Sequence, residues 1–220
     1  MDQGNKHLVI FDCDGVLVDS EVIAIAVDQI VLADLGWSLS LDEIIDRFVG
    51  GSHAYFVNVV EEHLSRKLPD DWEDAYQHLY REALARDLRL VEGIVDALDT
   101  INLPMCVASN GSHSKMEFTL KQVDLWSRFD GRIFSAEDVP LGKPAPDLFL
   151  HAASTLGYEP SDCIVVEDSP TGVQAALAAK MRVIAYAGGI TAESKLVGEG
   201  VGVIDHMNQL AGAINSIVGN

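Results

Sequence analysis

His7-Leu8-Val9-Ile10-Phe11-Asp12-Cys13-Asp14-Gly15-Val16-Leu17-Val18-Asp19-Ser20 is the stretch that decides how this chain reads. Leu8 to Phe11 is a short, unbroken apolar run with two β-branched residues, and it stops at two carboxylates one residue apart. Such a run suits a strand buried on both faces. In open parallel sheets, chemistry lies beyond the carboxyl ends of the strands, where Asp12 and Asp14 are expected. In extended chain, residues two apart point to the same side, so the two carboxylates are expected to share a pocket. Like charges at contact distance repel unless one is protonated or a cation intervenes. The stretch therefore calls for a divalent metal, acid/base chemistry, or both.

The composition of the chain is that of an ordinary globular protein. Its 220 residues suffice for one large domain, or one domain with a small insertion. Hydrophobic residues make up 48% and charged ones 22%, as in globular proteins. The net charge of −19 argues against nucleic acid or an anionic membrane as partner. It also means that an anionic substrate needs local cations. Cys13, Cys106 and Cys163 each lie in or beside an apolar run, which predicts buried, reduced thiols and a cytoplasmic protein. A cysteine phosphatase needs C-x5-R, and the sixth residues after these cysteines are Asp19, Ser112 and Ser169. No signal pattern or membrane-length apolar run is present. The expected state is a monomer or small homo-oligomer.

After the first motif the pattern turns helical. Glu21 to Leu35 reads as a largely buried helix. Helical spacing follows in Leu41, Ile44, Ile45, Phe48 and Val49, then Phe56, Val59, Val60, His63 and Leu64. A third pattern joins Trp72, Ala75, Tyr76, Leu79, Tyr80, Ala83 and Leu84. No strand is expected between Ser20 and Asp87. From Leu88, strands and helices alternate, with strands expected at Pro104–Ala108, Arg132–Phe134, Cys163–Val166, Arg182–Ala187 and Val201–Ile204. Asp147 is expected to cap a helix that Gly157 closes, and Pro170 to begin another. The fold class is therefore α/β: a Rossmann-like, doubly wound parallel sheet with an inserted α-helical cap domain. The core takes residues 1–18 and 88–220, and the cap 19–87.

Four polar clusters fall at expected strand ends or nearby loops: Asp12/Asp14, Ser109/Asn110, Lys143 and Glu167/Asp168. A parallel sheet brings its carboxyl ends to one edge, so these clusters are expected to converge. They supply acids for a hard cation, donors and a lysine for an anion, and a nucleophile. That set suits phosphoryl transfer. A calcium loop is disfavoured, because the EF-hand pattern counted from Asp12 places Leu17 and Ile23 where Gly and Glu belong. A Walker loop is excluded because Glu137 stands where its first glycine belongs.

Asp-Cys-Asp-Gly-Val-Leu-Val-Asp-Ser (12–20), Ser-Asn-Gly (109–111), Gly-Lys-Pro-Ala-Pro-Asp (142–147) and Glu-Asp-Ser (167–169) resemble, in order, the four motifs of the haloacid dehalogenase superfamily. Val91-Glu92-Gly93 before a helix resembles its helical-cap subfamily. Within that, the chain looks most similar to sugar-phosphate phosphatases of the 6-phosphogluconate phosphatase kind. The resemblance implies a Mg²⁺-dependent phosphatase acting on a small phosphorylated metabolite, a sugar or sugar-acid phosphate. It implies Asp12 as nucleophile and metal ligand, forming an aspartyl-phosphate. It implies Asp14 as general acid and base, with its backbone carbonyl on the metal. Asp168 is then a metal ligand, and Glu167 acts on the metal from behind the direct ligands or through a water. Ser109 and the backbone amides of Asn110 and Gly111 hold phosphoryl oxygens, and Lys143 offsets charge between phosphate and Asp12.

The cap carries weaker signals. Residues 19–88 hold 15 acids against five Lys or Arg, which leaves Arg47, Arg81 and Arg86 as the main cations for substrate. Gly50-Gly51-Ser52-His53 reads either as a flexible loop that brings His53 to substrate or as a plain helix–helix turn. The competing activity is that of a β-phosphoglucomutase-like phosphomutase. That family carries a cap His and a cap Arg where this chain has Ala24 and His53, which favours the phosphatase. A non-enzymatic metal-binding regulator is the third reading, disfavoured because every catalytic position is filled.

Overall fold

A computed structural model describes residues 6–49 and 53–219. The chain forms two compact units, one of residues 6–19 with 89–219 and one of residues 20–88. The first is built on six strands: β1 (Leu8–Phe11), β2 (Met105–Ser109), β3 (Ile133–Ser135), β4 (Cys163–Glu167), β5 (Arg182–Tyr186) and β6 (Val201–Ile204). Their order is β3-β2-β1-β4-β5-β6, and every pairing is parallel. This is the doubly wound order, with β1 in the middle and the chain reversing direction across it.

The second unit holds four helices: α1 (Glu21–Leu35), α2 (Leu41–Phe48), α3 (His53–Leu64) and α4 (Gln77–Asp87). The sheet unit holds α5 (Ile94–Thr100), α6 (His113–Gln122), α7 (Trp126–Phe129), α8 (Asp147–Leu156), α9 (Pro170–Ala178) and α10 (Leu210–Val218). Strand side chains alternate between faces, and both faces are covered. Leu8, Ile10, Cys106, Ala108, Cys163 and Val165 form one core with Leu148, Phe149, Ala152 and Ala153 of α8 and Ala175 and Ala176 of α9. On the opposite face, the Phe11 ring meets Phe129 of α7 at 6.3 Å. Burial on both sides is why β1 and β4 read as continuous apolar runs.

In the helical unit, Val27 and Val31 of α1 pack on Ala83 of α4, with Trp72, Tyr76, Leu79 and Tyr80 around them. Gly36 ends α1 in the left-handed region at φ 103°. A capping box opens α2: Glu43 N–H donates to Ser40 Oγ, and Ser40 N–H donates to Glu43 Oε2 at 2.9 Å.

Three expectations need correction. Helix α1 is only half buried, since Val22 and Ile30 are 53% and 56% exposed; it buries Val27 and Val31 towards α4 and leaves those outer apolar residues uncovered. The pattern from Trp72 to Leu84 is not one helix. A 3-10 turn (Trp72–Ala75) precedes α4, and the break falls at Tyr76. Asp147 does not cap α8: it is the first helical residue, Pro146 takes the cap position, and no side chain caps the end. The motif's Pro-Asp pair thus places its acid one position later, in the first turn, where it still suits the helix dipole. Gly157 does close α8 at φ 80°.

Candidate active site

Asp12 is fixed by the sheet: its backbone N–H donates to Val166 O of β4 at 2.9 Å. The chain turns immediately afterwards. Leu17 N–H donates to Cys13 O at 2.9 Å, and Gly15 N–H donates to Val18 O at 2.8 Å. Gly15 adopts φ 73°, a conformation for which glycine carries no steric penalty. Asp14 therefore lies in a turn rather than in extended chain, and its charge still acts on Asp12, so the two carboxylates stay near one another. Each carboxylate meets its own lysine. Lys143 Nζ donates to Asp12 Oδ1 at 2.8 Å, and Lys115 Nζ donates to Asp14 Oδ2 at 2.7 Å.

Lys143 also donates to Glu167 Oε1 at 2.6 Å, and its side chain is 3% exposed. The rest of its loop is held from β2. Asn110 Oδ1 accepts from Lys143 N–H at 2.8 Å, while Asn110 Nδ2 donates to Lys143 O at 3.1 Å. The ammonium lies 4.8 Å from the centre of the Phe149 ring, a favourable cation–π distance. Glu167 divides its two oxygens between tasks. Oε1 takes the lysine, and Oε2 accepts from Asp168 N–H at 3.1 Å, Ser169 N–H at 3.0 Å and Ser169 Oγ at 2.9 Å. Ser169 Oγ in turn accepts from Gly172 N–H at 3.0 Å and so caps α9.

Burial pushes the Asp12 carboxyl up to about 6, against the pull of Lys143 and with help from Glu167. Burial alone would lower Lys143, but Asp12 and Glu167 outweigh it and its affinity for the proton rises. Burial also works against Lys115, and Asp14 beside it again raises its proton affinity.

Asp12, Glu167 and Asp168 each offer a carboxylate oxygen, and these oxygens lie within 4.8 Å of one another. All three residues are buried. An all-oxygen carboxylate set is the donor chemistry of hard divalent cations. The surroundings fit it closely: a Cβ added at Gly15 would stand 1.9 Å from Asp168 Oδ2, and one at Gly172 would stand 1.8 Å from Glu167 Oε1. Two glycines thus leave the room in which two of the carboxylates are seated.

The Ser-Asn-Gly segment closes the end of β2. Ser109 is buried, and its Oγ accepts from Gly111 N–H at 3.2 Å. Gly111 O accepts from Ser135 Oγ at 2.7 Å. Asp12, Ser109, Asn110, Lys143, Glu167 and Asp168 are thereby brought to one sheet edge, with Asp14 in the turn beside it. In the helical unit, Gly50, Gly51 and Ser52 lie outside the described residues, as does the side chain of His53. Arg47 lies over the Trp37 ring at 5.6 Å, and Arg86 pairs with Asp87 at 2.7 Å.

Sequence reasoning gave no role to Lys115, Ser169 or Ser135. For Lys115 a usable signal exists: Ser112 caps α6 through Lys115 N–H, which fixes the lysine in the first turn beyond a strand end.

The family model for haloacid dehalogenase-like hydrolases matches residues 6–180. The chain is 34% identical over 183 residues to the 6-phosphogluconate phosphatase of Escherichia coli K12, covering 81% of each protein. It is 34% identical over 185 residues to a probable pseudouridine-5'-phosphatase of Drosophila melanogaster, covering 80% of this chain and 79% of the relative. Among solved structures, a haloacid dehalogenase-like protein of Agrobacterium tumefaciens superposes with a TM-score of 0.86 at 36% identity, covering 96% of this chain and 98% of that one.

Proposed function

The chain belongs to the haloacid dehalogenase-like hydrolases, and on that premise we propose a Mg²⁺-dependent phosphatase of sugar or sugar-acid phosphates working through an aspartyl-phosphate on Asp12. One observation carries the reading: Lys143 bonds both Asp12 and Glu167 in a buried pocket that Asp168 completes. Asp12 is the only one of the three carboxylates at the end of the central strand β1. The similarity to a 6-phosphogluconate phosphatase and to a probable pseudouridine-5'-phosphatase supports a small phosphate ester on a sugar or sugar acid as substrate.

Asp12 attacks phosphorus through a carboxylate oxygen, and the bond from phosphorus to the ester oxygen breaks. Asp14 gives its proton to that departing oxygen. A water then loses its proton to Asp14 and attacks the same phosphorus, which frees Asp12 and inorganic phosphate. Lys143 orients Asp12 and opposes the charge that gathers on the phosphoryl oxygens. Ser109 and the amides of Asn110 and Gly111 hold those oxygens. Asp12 and Asp168, with the Asp14 carbonyl, would hold magnesium directly, and Glu167, whose oxygens already serve Lys143 and the 168–169 segment, would meet it through water. When bound, the ion supplies charge neutralisation for the phosphoryl group. The inserted helical unit is assigned as the family's cap, with His53 a candidate substrate contact.

The test is phosphate release with Mg²⁺ over a panel of hexose, pentose, polyol and sugar-acid phosphates. Turnover of one or more at micromolar to millimolar KM is expected. No release from any member would overturn the reading.

A further inference from the structure

We propose that Lys115 is a positioning residue for Asp14, aiming the carboxyl that exchanges a proton with the leaving oxygen. The inference rests on the phosphatase reading above and adds a residue to it. Asp14 has its backbone set by the turn at Gly15, whose N–H closes onto Val18 O. A turn fixes where a side chain starts but does not by itself set where its carboxylate points. Lys115 reaches that carboxylate from an element 101 residues away and donates to Oδ2 at 2.7 Å.

The lysine is itself well anchored. Ser112 caps α6 by accepting from Lys115 N–H at 3.2 Å, and Lys115 O accepts from Thr119 Oγ1 at 3.0 Å. Gly111 shows what this anchoring aims at. A Cβ there would stand 3.6 Å from Ser109 Oγ, 3.6 Å from Lys115 Cδ and 3.8 Å from Asp14 Oδ2. Strand hydroxyl, lysine stem and turn carboxylate therefore border one small space that Gly111 keeps open. Lys143 cannot take this role, since it is buried against Asp12 and Glu167. Lys115 is 42% exposed and Asp14 23%, against 3% and 11% for Lys143 and Asp12, so this pair has more access to water than the buried one.

In the first step the Asp12–phosphorus bond forms, the phosphorus–ester oxygen bond breaks, and the proton passes from Asp14 to that oxygen. An alkyl leaving group needs this proton, whereas p-nitrophenolate departs without it. A misaimed Asp14 should therefore harm alkyl phosphates selectively.

The experiment compares Lys115→Met, Lys115→Arg and Asp14→Asn with the parent on a sugar phosphate and on p-nitrophenyl phosphate. Lys115→Met should lose at least tenfold more kcat on the sugar phosphate, with KM on p-nitrophenyl phosphate within threefold of the parent. Lys115→Arg should recover most of that difference. Equal losses on both substrates, or a raised KM with kcat intact, overturn the proposal and make Lys115 a structural or phosphate-binding group. Asp14→Asn separates the two levels. If it discriminates between the substrates and Lys115→Met does not, only the positioning role fails. If Asp14→Asn shows no discrimination, the acid role assigned to Asp14 fails first. Thermal melts confirm that each variant is folded.

Discussion

The Lys143 ammonium meets the Glu167 carboxylate at 2.6 Å in a place where neither side chain exceeds 3% exposure. Such a pair is expensive to desolvate and still more expensive to break, because one charge is then left buried alone. Lys143→Met therefore strands two carboxylates, Asp12 and Glu167. It is expected to lose essentially all activity and about 3 kcal/mol of stability or more in chelator. Added Mg²⁺ should restore part of the stability and none of the activity. Urea denaturation with and without the ion measures both effects, and an unchanged midpoint in chelator would contradict them.

Asp12→Asn keeps the size and the acceptor for Lys143 but removes the nucleophile. Turnover should fall by on the order of 10³-fold or more, with the melting temperature shifted only slightly. The parent, rapidly quenched during turnover, should show one added phosphoryl group by mass spectrometry, and Asp12→Asn none. Phosphorylation elsewhere in the variant would move the nucleophile.

Gly172 lies inside α9, where Gly→Ala ordinarily stabilises by about 1 kcal/mol. Here the sign should reverse. The new Cβ would stand 1.8 Å from Glu167 Cδ, so Gly172→Ala must displace the carboxylate that bonds Lys143. A loss of about 1–3 kcal/mol is expected from the overpacking, together with weaker metal binding. Calorimetric titration of Mg²⁺ and a denaturation curve check the two effects separately.

Metal binding should depend on pH through Asp12. Its carboxyl is raised from the ordinary 3.8 to about 6, mainly by burial. In chelator, ionising it costs stability, and that loss accrues as pH rises from about 4 through 6. Bound Mg²⁺ favours the ionised form, so apparent affinity should rise with pH up to about 6 and level off above it. Titrations at pH 5.5 in buffers of different ionisation heat should register proton release, and those at pH 8 almost none. Full activity in excess chelator would remove the metal from the scheme. Calcium should inhibit, since it takes more oxygens at longer distances and competes for Asp12.

The central strands were legible because apolar runs such as Leu8–Phe11 and Cys163–Val166 end abruptly at acids, and only a strand buried on both faces needs that pattern. Asp12, Lys143, Glu167 and Asp168 came with those ends and with the motif spacing. Lys115 was hidden because a lysine on an amphipathic helix is solvated by default, and only the third dimension brings it to Asp14. Alternation along a strand put Asp14 near Asp12, whereas it is a turn closed by Leu17 N–H on Cys13 O that holds it there, within reach of the Asp12 charge. Helix α10 gave little signal, since Gly212 and Asn215 interrupt its apolar pattern. Helix α7, at four residues, is shorter than any periodicity can register.

The side chain of Asn110 presents an acceptor and a donor to the N–H and C=O of Lys143, as a neighbouring peptide group would. It acts as a single rung of a ladder between two segments 33 residues apart. That rung restricts what evolution can exchange. A Cβ at Gly142 would stand 2.7 Å from Asn110 Oδ1, so a larger residue at 142 is tolerated only with a shorter one at 110. Positions 110 and 142 are therefore sterically coupled. A chimera that takes its lysine loop from a donor protein should regain activity only when the residue at 110 travels with it.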